Sequence, residues 1–212
     1  MSTQDNVQHE PLPQVRLQNC NWPLSHWLSD SLFELYDLDA PYQRGAVWTL
    51  EQRQNLIRSL YMGVPVGSTI VSTLPYRKDG KLARVVDGKQ RILAVRAFAQ
   101  GEFPVPAWWF RPGELRPEAA GRADVSWSDL SDGAQFRFET GAPLPALEFN
   151  GQVEYLHKDA KGNWVTRNCS DAEILAAEAE LFELINFHGT PQTEVTRERA
   201  RRVARDPDAY LP

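Results

Sequence analysis

The 212-residue chain reads as an α+β protein with one domain. Segments of helical spacing mix with short β-branched runs in no regular strand–helix–strand rhythm, which favours α+β over a doubly wound sheet. No 20- to 50-residue repeat and no linker divides the chain. A hydrophobic fraction of 42%, with seven Trp and nine Phe, is enough for a substantial core.

Residues 1–23 are polar and interrupted by Pro11, Pro13 and Pro23, which predicts an irregular arm ahead of a domain over 24–212. Ser25 is placed to cap a short helix through Leu32 and Phe33, with His26 and Trp27 in its first turn. His26 is read as an ordinary packed or surface histidine, because no second His or Cys stands at metal spacing. Pro41 and Gly45 bracket a loop carrying Gln43 and Arg44. Thr49 and Gln52 form a capping box that opens a helix to about Met62, with Leu56, Ile57, Leu60 and Tyr61 buried and Gly63 as terminator. Arg53 and Arg58 fall on its solvated side.

Val64 to Thr73 should be a strand, Arg77-Lys78-Asp79-Gly80 a turn, and Lys81 to Val86 the returning strand. Ile92, Val95 and Ala99, with Phe98 beside them, recur at helical spacing, and Gly101 stands where a C-cap glycine belongs. Val105 to Phe110 reads as a strand whose proline places it near an edge or a strand start, and residues 111–133 as a loop anchored by Trp127 and Leu130. Trp108, Trp109 and Trp127 are expected in the core. Ala146 to Phe149 is a strand, and Gln152–His157 with Trp164–Thr166 form a hairpin. Ser170 and Glu173 make a second capping box, opening a helix through Phe187 with the stripe Ile174, Ala177, Leu181 and Ile185. Glu178, Glu180 and Glu183 are read as its solvated face. Thr190-Pro191 can begin a last helix carrying Arg197, Arg199, Arg201, Arg202 and Arg205, interleaved with Glu194 and Glu198.

Composition narrows the function. A formal net charge of −5 argues against a wholly basic nucleic-acid binder. Cys20 and Cys169 give neither a disulfide framework nor a metal pattern, and reduced thiols in the cytoplasm are the plain reading. No apolar run approaches the ~20 residues that span a bilayer, and residues 1–6 lack the features of a secretion signal.

The chemistry concentrates at Asp87-Gly88-Lys89-Gln90-Arg91, where the strand ending Val85-Val86 meets a helix. A helix start offers unpaired N–H groups and partial positive charge, Gly88 allows close approach, and Lys89 and Arg91 add two cations. That is the chemistry of a phosphate site. The alternative is structural: Asp-Gly also suits a hairpin turn, although Ala94, Ala97 and Ala99 favour the helix.

Four landmarks stand in one order: Tyr42-Gln43-Arg44…Trp48, then Gly63-Val64-Pro65, then Val86-Asp87-Gly88-Lys89-Gln90-Arg91, then Asn186-Phe187-His188-Gly189. Over about residues 40–205 the chain resembles the GmrSD restriction-endonuclease N-terminal domain family, with its "YQR…W" loop, "DGQQR" turn and later "N-x-x-G" helix end. The resemblance implies a ParB/sulfiredoxin-like mixed sheet with flanking helices. It also implies a nucleoside-triphosphate-binding domain, in some members a nucleotidase that governs an attached or partner nuclease in defence against foreign DNA. By matching position, Gln43, Arg44, Gly88, Lys89, Gln90, Arg91 and Asn186 fall in the nucleotide site, with Asp87 and Gln90 as candidate catalytic residues. Asp87 is also the candidate ligand of a Mg²⁺ ion, held through water beside a phosphate. Lys89 replaces a glutamine of the motif, and His188 stands where a small residue is usual. No cysteine sits at the turn, so sulfinic-acid reduction is not supported. No HNH-type nuclease segment is read in the sequence, and no general base is evident. The alternative is a non-catalytic protein that contacts DNA through the basic last helix and the tryptophans, or regulates a separate nuclease.

Overall fold

The computed structural model describes residues 17–43, 48–78, 80–142, 144–150, 154–158, 160–168, 170–187 and 194–210. In chain order the elements are β1 (Leu17–Cys20), α1 (Leu24–Leu28), α2 (Asp30–Phe33), β2 (Tyr36–Asp37), α3 (Leu50–Tyr61), β3 (Thr69–Lys78), β4 (Lys81–Asp87) and α4 (Lys89–Ala99). There follow β5 (Val105–Pro106), β6 (Asp124–Val125), α5 (Asp132–Gly141), β7 (Ala146–Asn150), β8 (Glu154–Lys158), β9 (Trp164–Asn168), α6 (Asp171–Phe187) and α7 (Glu194–Arg205).

Five strands form one mixed sheet in the order β1-β7-β3-β4-β2. β3 runs antiparallel to β4 and parallel to β7, while β2 joins β4 in parallel and β1 joins β7 antiparallel. Successive residues of a strand face opposite sides, and the central strands use that to serve two cores. Val71 and Val85 point into a cluster with Leu24, Trp27, Ile57, Ile92 and Phe98. Their neighbours Ile70 and Val86 point the other way, into Tyr42, Leu175, Ala179, Phe182, Ala200 and Val203. Helices α1, α3, α4 and α5 therefore cover one face of the sheet, and α6 with α7 the other.

The helix ends follow their local chemistry. Thr49 and Gln52 bond reciprocally at the start of α3, as the capping box requires. At the end of α4 the Glu102 and Gly101 amides donate to the Ala97 and Phe98 carbonyls, the paired bonds of a Schellman motif, with Gly101 at φ +76°. Ser170 and Glu173 close the second capping box.

Several expectations are corrected. Leu17–Cys20, inside the segment read as an irregular arm, pairs with Ala146–Phe149 as an exposed edge strand. The helix expected from Ser25 to Phe33 is two, broken at Ser29, and Pro23 rather than Ser25 occupies the first N-cap. Arg96 on α4 bridges that break, donating to the Trp27 carbonyl at 2.9 Å and pairing with Asp30 while its guanidinium lies 3.9 Å from the centroid of Phe33. The strand expected from Val64 starts at Thr69. The strand expected over Val105–Phe110 stops at Pro106 and continues as a 3₁₀ turn. The expected loop over 111–133 ends in the first turn of α5, whose cap, Ser131, accepts from the Ala134 amide. Trp108, expected in the core, is 73% exposed, and Arg58 lies over its ring. Glu178, expected in solvent, is fully buried. Asp79, Cys169 and Thr190-Pro191 lie outside the described residues.

Candidate functional site

The strand-to-helix turn forms as its sequence requires. β4 ends at Asp87, Gly88 is the N-cap of α4 at φ +95°, and the Ile92 amide closes the first helical bond onto the Gly88 carbonyl at 3.0 Å. The N-cap, Gly88, has no side chain with which to cap this helix start, and the geometry of an α-helix gives its first N–H groups no acceptor within the helix. The absent Gly88 side chain faces β3: a Cβ there would lie 2.6 Å from Thr69 Cγ2 and 3.0 Å from Thr69 Cα. The close approach allowed by this glycine is thus to the neighbouring strand.

The cations of the turn are held by the protein. Arg91 donates to the Val66 and Ser68 carbonyls at 2.9 Å each and to Asp87 Oδ2 at 2.7 Å. Two of its five N–H donors are thereby committed to the chain entering β3 and a third to Asp87 at the end of β4, leaving two without a partner among the described residues. Lys89 Nζ reaches Asp39 Oδ1 at 2.8 Å.

Two motif segments meet here. Gln43, 7% exposed, donates from Nε2 to the carbonyls of Val85 and Val86 at 2.5 and 2.8 Å, and its Oε1 is buried without a partner among the described residues. From the far side of the same loop the Trp48 amide donates to Gln90 Oε1 at 3.4 Å. Gln43 and Gln90 therefore tie the Tyr42–Trp48 loop to both sides of the Asp87-Gly88 turn. Arg44, His188 and Gly189 lie outside the described residues, and Asn186 is in the last turn of α6.

Behind the turn runs an ion network that sequence reading missed. Arg84 on β4 pairs with Asp37 Oδ2 and with Glu178 Oε2, both at 2.9 Å. Tyr42 donates to the same Glu178 oxygen at 3.4 Å. Asp37 Oδ1 accepts from the Asp39 amide at 2.9 Å, which links the network to Lys89. Burial pushes the Glu178 carboxyl above its ordinary range, against the opposing pull of Arg84 and Tyr42. Burial alone lowers the Arg84 value, yet Glu178 and Asp37 hold it well above the usual arginine range. The Tyr42 hydroxyl is pushed up by burial and by Glu178. A signal for Glu178 was present: it stands four residues from both Ile174 and Phe182, on the apolar stripe itself.

Among the described residues no three His, Cys, Asp or Glu side chains gather as a metal-binding group. The turn offers Asp87 alone, one of whose oxygens serves Arg91. On α7, Ala200 and Val203 are buried, while Arg201 pairs with Glu183 at 2.8 Å and Arg202 and Arg205 lie 3.5 and 3.9 Å from Glu198. No described helix is long and apolar enough to cross a membrane.

Comparison with curated proteins gives no match. A family model, that of the GmrSD restriction endonuclease N-terminal domain, matches residues 25–199. That span takes in the Tyr42–Trp48 loop, the Asp87–Arg91 turn, the Arg84–Glu178 network and α6, and the chain belongs to the GmrSD restriction endonuclease N-terminal domain family, which associates it with restriction and defence systems.

Proposed function

We propose that the Asp87–Arg91 turn and the Tyr42–Trp48 loop together bind a nucleoside triphosphate, and that the bound nucleotide governs a partner nuclease acting on foreign DNA. The observation that carries this reading is the pair of ties from Gln43 to Val85 and Val86 and from Trp48 to Gln90, which bring two polar motif segments to one helix start. The first-turn N–H groups of α4 and the partial positive charge there suit a phosphate. Lys89, the two remaining donors of Arg91 and the Arg44 side chain supply positive charge, with Asn186 as a further polar contact. Mg²⁺, if carried by the nucleotide, would be held by Asp87 and would neutralise phosphate charge. In a hydrolytic version of the site Gln43 and Gln90 would orient a water, with Asp87 and Gln90 as the candidate catalytic residues.

Titration calorimetry with ATP, GTP, CTP and UTP, with and without Mg²⁺, tests the reading. At least one nucleotide is expected to bind, and Gln43→Ala is expected to weaken it. No binding by any of the four rejects it. Release of inorganic phosphate from the nucleotide that binds then separates hydrolysis from binding.

A further inference from the structure

Among the described residues Glu178 is a carboxylate with no exposure at all, on a helix face otherwise made of Leu175, Ala179 and Phe182. A buried ion pair is a poor source of stability: replacing one by packed apolar groups is often neutral or stabilising, whereas removing one partner is strongly destabilising. What Glu178 does supply is geometry. Its Oε2 takes one bond from Tyr42, the residue directly before Gln43, and one from Arg84, three residues before Asp87 on the same strand. Arg84 in turn holds Asp37 in the chain leading to the Tyr42 loop. Glu178 lies on α6, eight residues before Asn186, roughly 12 Å along the axis at 1.5 Å per residue. One carboxylate thus bonds the supports of two motif segments, the loop and the turn, from the helix that carries the third.

We propose that Glu178 is a positioning residue that holds the Tyr42 loop and the β4–α4 turn in register for ligand, acting through Tyr42 and Arg84 without itself contacting ligand. This rests on the nucleotide-site reading above. Because the carboxylate is held by two segments at once, its loss frees both together and leaves the far side of the sheet, where β1 pairs with β7, as it was.

The test is hydrogen exchange across the full chain for the wild type, Glu178→Gln and Tyr42→Phe, with nucleotide affinity measured on each. Glu178→Gln keeps the shape and removes the charge; Tyr42→Phe removes one bond and leaves the ion pair, so it serves if the first variant fails to fold. In Glu178→Gln, exchange is expected to rise at least tenfold at residues 40–43 and 85–91 together, with residues 146–150 unchanged, and the nucleotide Kd is expected to rise at least tenfold. Tyr42→Phe is expected to loosen residues 40–43 alone, with a smaller loss of affinity. Faster exchange confined to α6, a uniform rise along the chain, or an unchanged Kd with a loosened loop and turn would each overturn the proposal. If the wild type binds no nucleotide, the nucleotide reading fails by itself, while the exchange pattern still decides whether Glu178 holds the two segments.

Discussion

Replacing Gly88 by alanine adds a single carbon where two separate obstacles meet it. The φ of +95° lies in a region that residues with a Cβ rarely adopt, and left-handed backbone costs about 1–2 kcal/mol per residue. The new Cβ would also stand 2.6 Å from Thr69 Cγ2 and 3.0 Å from Thr69 Cα. Thr69 is fully buried and hydrogen-bonded through its amide and hydroxyl to the Pro145 carbonyl, so its backbone has little room to retreat. Overpacking of this kind costs typically about 1–3 kcal/mol. The sum is about 2–5 kcal/mol, or roughly 4–20 °C in Tm at about 2–4 °C per kcal/mol for a chain of this size. The assay is urea unfolding followed by circular dichroism, with Gly101→Ala as the reference. Gly101 has a similar φ of +76° and nothing within 4 Å of its Cβ position, so it carries the backbone term alone. Thr69→Ser in the Gly88→Ala background removes the 2.6 Å contact and leaves the one to Cα, so it should recover part of the loss and not all of it. A Gly88→Ala protein no less stable than Gly101→Ala would refute the claim that β3 dictates glycine at this turn.

Other perturbations have equally definite signs. Thr49→Ala removes the cap of α3 and should cost about 1 kcal/mol in urea unfolding. Arg91→Lys keeps the charge and loses the fork that spans the Val66 and Ser68 carbonyls; a loss of about 1–3 kcal/mol is expected from the acceptors left behind, and an unchanged midpoint would contradict that bonding. Burial lowers the pKa of His26 below its ordinary 6.5, so the folded state prefers the neutral ring. Its contribution to stability is therefore present above about pH 6.5 and is lost as pH falls through the lowered value. His26→Gln should flatten that part of a stability–pH profile, and an unaltered slope would show that another group titrates there.

The sequence made the strand–turn–helix at Asp87, both capping boxes and the closing glycine of α4 readable, because each depends on residues within one turn of chain. The elements it hid depend on distant partners. Leu17–Cys20 has no β-branched residue and is a strand through its bonds to β7, more than 120 residues away in sequence. The break at Ser29 is spanned by Arg96, which reaches it from α4. At the site, Gln43 and Gln90 were legible as polar residues in a shared pattern, but their bonds join different loops. For Arg91 local sequence shows the charge and not the Val66 and Ser68 carbonyls that engage part of its guanidinium. Glu178 was assigned to solvent by residue type, although its spacing from Ile174 and Phe182 put it on the buried stripe.

Whether a nucleotide occupies the turn is read directly by titrating the protein with a nucleoside triphosphate and Mg²⁺ and following backbone amide resonances. If the nucleotide sits at the start of α4, the largest shifts fall on Gly88, Lys89 and Gln90 and on the neighbouring Gln43, saturating together at one affinity. Shifts that fall elsewhere, or amides at the start of α4 that stay unmoved at saturating nucleotide, would contradict it.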